Sequence, residues 1–290
     1  MRGSAKVVIL LFLPICGCNL FSWIQSYSED PRFELESGKA YMERGDLQKA
    51  IYHINRALSL SKDPKDKEEA IYLRCVAVLK MEGVNILYLI LPEKVEEIYR
   101  ILESGEGAEK GMAVVAGSIR SSEVARVLPI LRREEISAID TVTGIEVEDG
   151  EARFVGRKSL GPEVNLTAGV IHSILAVAYV ADIDGDGSIS DAEGAVFGEV
   201  ADLMERSISP SKVREFYGRK VSDMLGFPYG SDGYRRALDG IRAKVLSEIS
   251  IARVNLEVAR DSFSSTEGAL KDRIDKALSI LSVARGAFSW

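Results

Sequence analysis

Histidine is almost missing from this chain: His53 and His172 are the only two among 290 residues. No second histidine lies near either at metal-ligand spacing, and the patterns His-Glu-x-x-His and Gly-x-Ser-x-Gly do not occur. The usual sequence signatures of zinc and serine hydrolases are therefore excluded. Cysteine is nearly as scarce, with three. Cys16 and Cys18 stand close to the N-terminus and leave Cys75 alone in the body of the chain, so no disulfide framework can form within one chain. Cys75 lies in the apolar run 72–79 and reads as a small buried hydrophobe. Clusters of Lys and Arg are lacking too, and the net charge is −7. Phosphate neutralisation needs such clusters, so no nucleic acid is expected as a partner. The glycine run 105–111 lacks the Gly-Lys-Ser/Thr ending of a phosphate loop and follows a helical pattern, so it reads as a flexible connection. What remains is 46% hydrophobic and 28% charged, the composition of a globular chain long enough for one large domain or two ordinary ones.

At the N-terminus, Arg2 and Lys6 precede an uncharged apolar stretch over 7–13. A basic region followed by an apolar one is the layout of a secretory signal. The stretch is far shorter than the roughly 20 residues that a helix needs to cross a bilayer. Next come Ile15-Cys16-Gly17-Cys18, which resemble the bacterial lipobox, although the family prefers Ala, Ser or Thr where this chain has Cys16. The resemblance implies removal of residues 1–17, lipidation of Cys18, and a place in the bacterial cell envelope facing the periplasm or the exterior. Loss of the two positive charges Arg2 and Lys6 would take the net charge from −7 to −9. Residues 18–31 read as a tether, with Phe21 and Trp23 near the lipid end.

The segment 33–60 has a helix-turn-helix pattern. Gly38 and Tyr41 lie on the first helix, Gly45-Asp46 make the turn, and Ala50, Ile54 and Ala57 follow on the second. It resembles one tetratricopeptide repeat, with Glu34 where that family usually carries Trp. The resemblance implies two antiparallel helices that approach through small residues, a unit that cannot bury its own face alone. Apolar spacing through Ala70, Leu73, Val76 and Ala77 predicts another helix over 67–83, a degenerate second repeat. An apolar run over 84–91 ends at Pro92; helices are expected over 93–103 and 112–131, the latter stopping at the charged turn Arg132-Arg133-Glu134-Glu135. Two alternating runs, 145–148 and 151–155, flank Asp149-Gly150 and predict a small hairpin. Beyond Pro162 the pattern is helical, with a start at Ser209-Pro210 and long helices over 234–263 and 266–288.

Residues 182–193 read Asp-Ile-Asp-Gly-Asp-Gly-Ser-Ile-Ser-Asp-Ala-Glu. They resemble the twelve-residue EF-hand loop at each defining position, which implies a site for one Ca²⁺. Calcium is a hard cation that takes six to eight oxygens. The expected ligands are the side chains of Asp182, Asp184 and Asp186, the carbonyl of Ser188, Ser190 through a water, and both oxygens of Glu193. Gly187 permits the left-handed bend around the ion, and Ile189 is expected to point into the core. Magnesium fits less well, because the loop offers many protein oxygens and a bidentate carboxylate. The flanks predict helices over 166–180, capped by Asn165, and over 192–204. No second such loop occurs in the chain, so a structural clamp is expected in preference to a sensor. The uncharged run 164–180 reads as a central buried helix, with His172 as a hydrogen-bonded core residue.

The expected fold is mainly α: a helical-hairpin or repeat-like bundle with an EF-hand helix-loop-helix and at most one small β-hairpin. The expected divisions are a signal over 1–17, a tether over 18–31, a tetratricopeptide-like region over 32–104, a connection with the hairpin over 105–163, and a helical domain over 164–290. The expected function is that of an envelope-anchored calcium-binding lipoprotein and not an enzyme. It would act as a scaffold for a protein or peptide partner, with the membrane as a second partner through the anchor. The plan also resembles the repeat-bearing accessory lipoproteins of periplasmic transporters, which implies ligand or partner binding in a helical cavity. A cell-envelope hydrolase built on two carboxylates stands beside these, because such pairs are assembled in space and leave no sequence signature.

Overall fold

The computed structural model describes residues 30–84, 121–156, 161–206, 210–263 and 268–288. The lipobox with Cys18, the tether up to residue 29, and the expectations over 85–120 lie outside these residues. Helices dominate what is described, together with one two-stranded antiparallel sheet. The chain divides into two compact units, residues 1–81 and 82–290.

The first unit holds α1 (Pro31–Glu43), α2 (Leu47–Leu60) and α3 (Pro64–Met81). Asp30 caps α1 by accepting a hydrogen bond from the Arg32 N–H at 2.9 Å, and Pro31 stands at the first helical position, where its missing N–H is no loss. Gly45, at φ +78°, reverses the chain, and Asp46 caps α2. The helices bury Leu35, Ala50, Ile54, Ala57, Ala70 and Ala77 between them. Gly38 lets α1 and α2 approach: a Cβ there would lie 2.7 Å from Ile54 Cγ1. Glu34 is buried, its carboxylate 2.6 Å from His53 Nδ1 and 3.0 Å from Arg56 Nε, and Tyr41 stacks on His53 at 5.1 Å between centroids. A buried carboxylate on α1 thus ties this helix to His53 and Arg56 on α2. Cys75 is fully buried on α3.

The second unit is built on α6 (Pro162–Ala181) and α9 (Asp232–Ser262). Helix α6 is apolar on all sides, as a central helix should be. It is long and apolar enough to cross a membrane, and 72% of its apolar window is buried. Helix α9 answers it with Ile241, Val245, Ile249, Ala252, Leu256 and Ala259, a stripe at three- and four-residue spacing. Helix α6 starts at Pro162, so Asn165 lies inside the first turns instead of capping them. Its side chain is fully buried and its Nδ2 donates to Thr143 O (3.2 Å) and Asn255 Oδ1 (3.0 Å). The helix begins earlier than expected because proline's fixed φ suits the N-terminal position.

Helix α4 (Ser121–Leu131), the one-turn α5 (Glu134–Ser137) and a 3₁₀ turn (Ala138–Val142) lead to strands β1 (Ile145–Glu148) and β2 (Glu151–Phe154). Asp149 and Gly150 at φ +53° and +79° give the two left-handed residues of a tight hairpin turn. The hairpin lies on α9, where Ser250 Oγ accepts from the Ala152 N–H at 2.8 Å. Helices α7 (Asp191–Glu205), α8 (Pro210–Leu225) and α10 (Gly268–Phe288) complete the unit. His172 on α6 is buried, with Nε2 2.8 Å from Asp140 Oδ1 and Nδ1 2.5 Å from Glu248 Oε2.

Helices α6 and α9 meet at Gly169, where a Cβ would lie 2.8 Å from Leu256 Cγ and Cδ2 and 3.3 Å from the Ala252 carbonyl oxygen. Gly169→Ala should therefore destabilise the protein by about 1–3 kcal/mol through overpacking, against a helix-propensity gain of about 1 kcal/mol. The urea midpoint of the full chain measures it. A midpoint that rises instead would mean that the two helices are not held this close.

Candidate metal centre

The loop 182–193 runs from the end of α6 into the start of α7. Its backbone is set by Gly185 at φ +75° and Gly187 at φ +91°, conformations that side chains disfavour. Asp186 Oδ1 accepts from the N–H (2.7 Å) and hydroxyl (2.8 Å) of Ser188, and Asp184 Oδ1 accepts from the Asp186 N–H (3.0 Å). These are local turns of the kind that Asp favours.

Glu193 closes the loop. The residue is only 1% exposed. Its Oε1 accepts from the Ile183 N–H (2.7 Å) and Asp184 N–H (3.1 Å), and its Oε2 accepts from the Ser190 N–H and Oγ, both at 2.8 Å. Ser190 Oγ in turn accepts from the Glu193 N–H at 3.3 Å. Ser190 and Glu193 thus form a capping box that starts α7, and the same carboxylate ties the end of the loop to its beginning.

Asp182 is the buried acid at the other end. Its Oδ1 accepts from the Gly187 N–H at 3.4 Å, while Oδ2 is buried with no hydrogen-bond donor. A buried carboxylate oxygen without a donor is costly unless a cation serves it. Burial pushes the Asp182 carboxyl above its usual pKa and the Glu193 charge adds to this, whereas the Gly187 N–H, Lys244 and Arg132 pull it down. Asp186, on the open side of the loop, is held below the usual carboxylate range by its bonds to Ser188.

Carboxylate oxygens of Asp182, Asp184 and Glu193 lie within 4.8 Å of one another, a grouping that could hold a hard cation. Asp186 and Ser188 are engaged with each other and lie outside that group, and Ser190 is engaged with Glu193. The donor set fits calcium by chemistry, and Asp182 Oδ2 is its buried oxygen without a hydrogen-bond donor. Ile189 is half-buried, whereas its neighbour across the loop, Ile183, is buried at 3% exposure. Ile183 is therefore the more deeply packed of the two.

Two cations stand at the loop that the sequence reading did not connect with it. Arg132 Nη1 lies 3.6 Å from Asp182 Oδ2, and a Cβ on Gly187 would overlap the Arg132 guanidinium. Lys244 Nζ would lie 3.1 Å from a Cβ on Gly185. Both stand over the Tyr179 ring, at 5.9 and 5.4 Å from its centroid. Arg132 is 50 residues from Asp182 in the chain and Lys244 is 62 residues from it, so no local pattern could have announced them. No family model, curated protein or solved structure matches this chain, so the chemistry of the loop rests on its own residues.

Proposed function

We propose that the loop 182–193 binds one calcium ion and that the ion clamps α6 to α7, stabilising a lipid-anchored helical scaffold of the bacterial cell envelope. The observation that carries the calcium reading is the convergence of Asp182, Asp184 and Glu193 oxygens around a buried Oδ2 that no donor serves. Asp182, Asp184 and Glu193 would hold the ion, with Asp186, the Ser188 carbonyl and Ser190 completing its oxygens as the EF-hand resemblance implies. The ion supplies positive charge where two buried carboxylates meet. The residues around it do the rest: Glu193 fixes the start of α7, and Gly187 allows the turn.

The anchoring part of the reading rests on Arg2, Lys6 and the lipobox-like Ile15 to Cys18, with Cys18 as the lipidated residue. Several acyl chains there would hold the protein on a membrane firmly. The scaffold part rests on the close helix pair around Gly38 and Ile54. A protein or peptide is the partner that such a helical hairpin suits.

Calorimetric titration of the full chain with calcium tests the site. Binding near one ion per chain is expected, with a dissociation constant on the order of 10⁻⁴ to 10⁻³ M, as in extracellular modules. Absence of any calcium-dependent heat at several millimolar ion would overturn the reading.

A further inference from the structure

The loop carries its own competing cation. We infer that Arg132 opposes calcium at Asp182 and so sets the affinity of the site, an inference that rests on the calcium reading above. The Asp182 side chain is 0% exposed, and its Oδ2 has no hydrogen-bond donor. The charged group facing that oxygen is Arg132 Nη1 at 3.6 Å, too far for a hydrogen bond but close enough for strong attraction. The guanidinium is seated against Gly187, where a Cβ would overlap it, and over the face of Tyr179. Lys244 flanks the same ring and faces Gly185. Arg132 and Lys244 therefore lie against the loop, one at each of its two glycines.

A guanidinium keeps its charge throughout the physiological pH range, so this competition is a fixed property of the site. Calcium needs the oxygen that Arg132 neutralises, and it must bind beside a positive charge. The Arg132 side chain is 38% exposed, so it can swing into water when the ion enters, and the exchange is reversible. An affinity held low in this way suits a site that fills only where calcium is abundant. Such a site would distinguish the calcium-rich outside of a cell from its calcium-poor interior. Arg133, the adjacent residue, is instead paired with Glu82 at 2.6 Å and offers a control of equal charge.

The test is calorimetric titration of calcium chloride into the full-length chain and into four variants at constant ionic strength. Arg132→Gln should bind calcium roughly tenfold more tightly, the effect of removing one charge a few ångströms from a divalent ion in a largely hydrated setting. Lys244→Gln should tighten binding by about threefold, because its ammonium faces Gly185 and not the buried Asp182 oxygen. Arg132→Lys, which keeps the charge, should stay within about threefold of the parent, and Arg133→Gln within about twofold. Calcium binding by the parent chain with unchanged or weaker binding by Arg132→Gln overturns the inference, whatever Lys244→Gln does, and leaves the calcium site standing. Equal tightening by Arg133→Gln also overturns it, since net charge alone would then account for the change. Absence of binding in the parent and in every variant removes the calcium reading itself. Binding that appears only in Arg132→Gln supports the inference in its strongest form.

Discussion

Glu193→Ala should produce the largest loss of stability of any single change in the loop, and it should do so with calcium and without it. The carboxylate is buried and accepts four hydrogen bonds, from the N–H groups of Ile183, Asp184 and Ser190 and from the Ser190 hydroxyl. Bonds to a charged acceptor are worth about 1.5–3 kcal/mol each, and removing the acceptor leaves buried donors unserved. These contributions overlap, so a net loss of about 2–4 kcal/mol in chelator is expected, near the upper range of single substitutions. In a chain of this size that corresponds to a fall in Tm of about 5–10 °C. The calcium-dependent rise should vanish as well. By mass action the parent gains about 1.4 kcal/mol at an ion concentration ten times Kd, and the variant should gain almost nothing.

Asp182→Asn separates the two effects. Asparagine keeps an oxygen for the Gly187 N–H, and it removes the charge from a buried position where Oδ2 has no donor. Its stability in chelator should stay within about 1 kcal/mol of the parent, since the cost of burying the carboxylate largely offsets its attraction to Arg132. Its calcium response should nonetheless be lost. Differential scanning fluorimetry of both variants, in calcium and in chelator, measures all four quantities. A Glu193→Ala variant that melts like the parent in chelator would mean that the carboxylate does not close the loop. An Asp182→Asn variant with a full calcium response would remove Asp182 from the ligands.

How much of this was legible in the sequence depended on how local the cause was. The left-handed bend at Gly187 was readable because the stretch 182–193 carries its own glycines and acids, whereas the capping box of Ser190 and Glu193 was not read from it. The hairpin was readable because Asp149-Gly150 fixes both the turn and the register, Ile145 opposite Phe154 and Glu148 opposite Glu151. The close pair α1 and α2 was readable from the small residues that allow it. The start of α6 was placed too late because Asn165 is a good capping residue, yet in the fold its amide is needed between Thr143 and Asn255, 22 and 90 residues away. Arg132 read as part of a charged turn, and only the fold brings it to Asp182. The resemblances to a lipobox and to an EF-hand reach function only as proposals, because each is a short motif and neither is a fold.

His172 should make the protein lose stability as pH rises from about 6.5 to about 9. Burial alone would lower its pKa, but hydrogen bonds to Asp140 and Glu248 and the attraction of both carboxylates outweigh burial and lift it to about 9. The ordinary value is about 6.5. The raised folded-state value means that the charged imidazolium binds its proton more tightly in the folded chain than in the unfolded one. Its contribution is therefore fully present below about pH 6.5 and is lost as pH climbs through about 9, the reverse of the usual behaviour of a paired carboxylate. A difference of this size corresponds to roughly 3 kcal/mol. The geometry explains why so much is at stake: the ring joins three elements, the 3₁₀ turn through Asp140, α6 through itself and α9 through Glu248. Burial, and after it the Glu248 charge, raises the pKa of Tyr179, which stands three residues before the loop 182–193. Urea unfolding of the parent and of His172→Gln at intervals from pH 6 to 9.5 measures the effect. The parent should lose roughly 3 kcal/mol more than the variant across that range. Parallel curves for the two proteins would mean that His172 is neutral in the fold and that the three elements are joined without its charge.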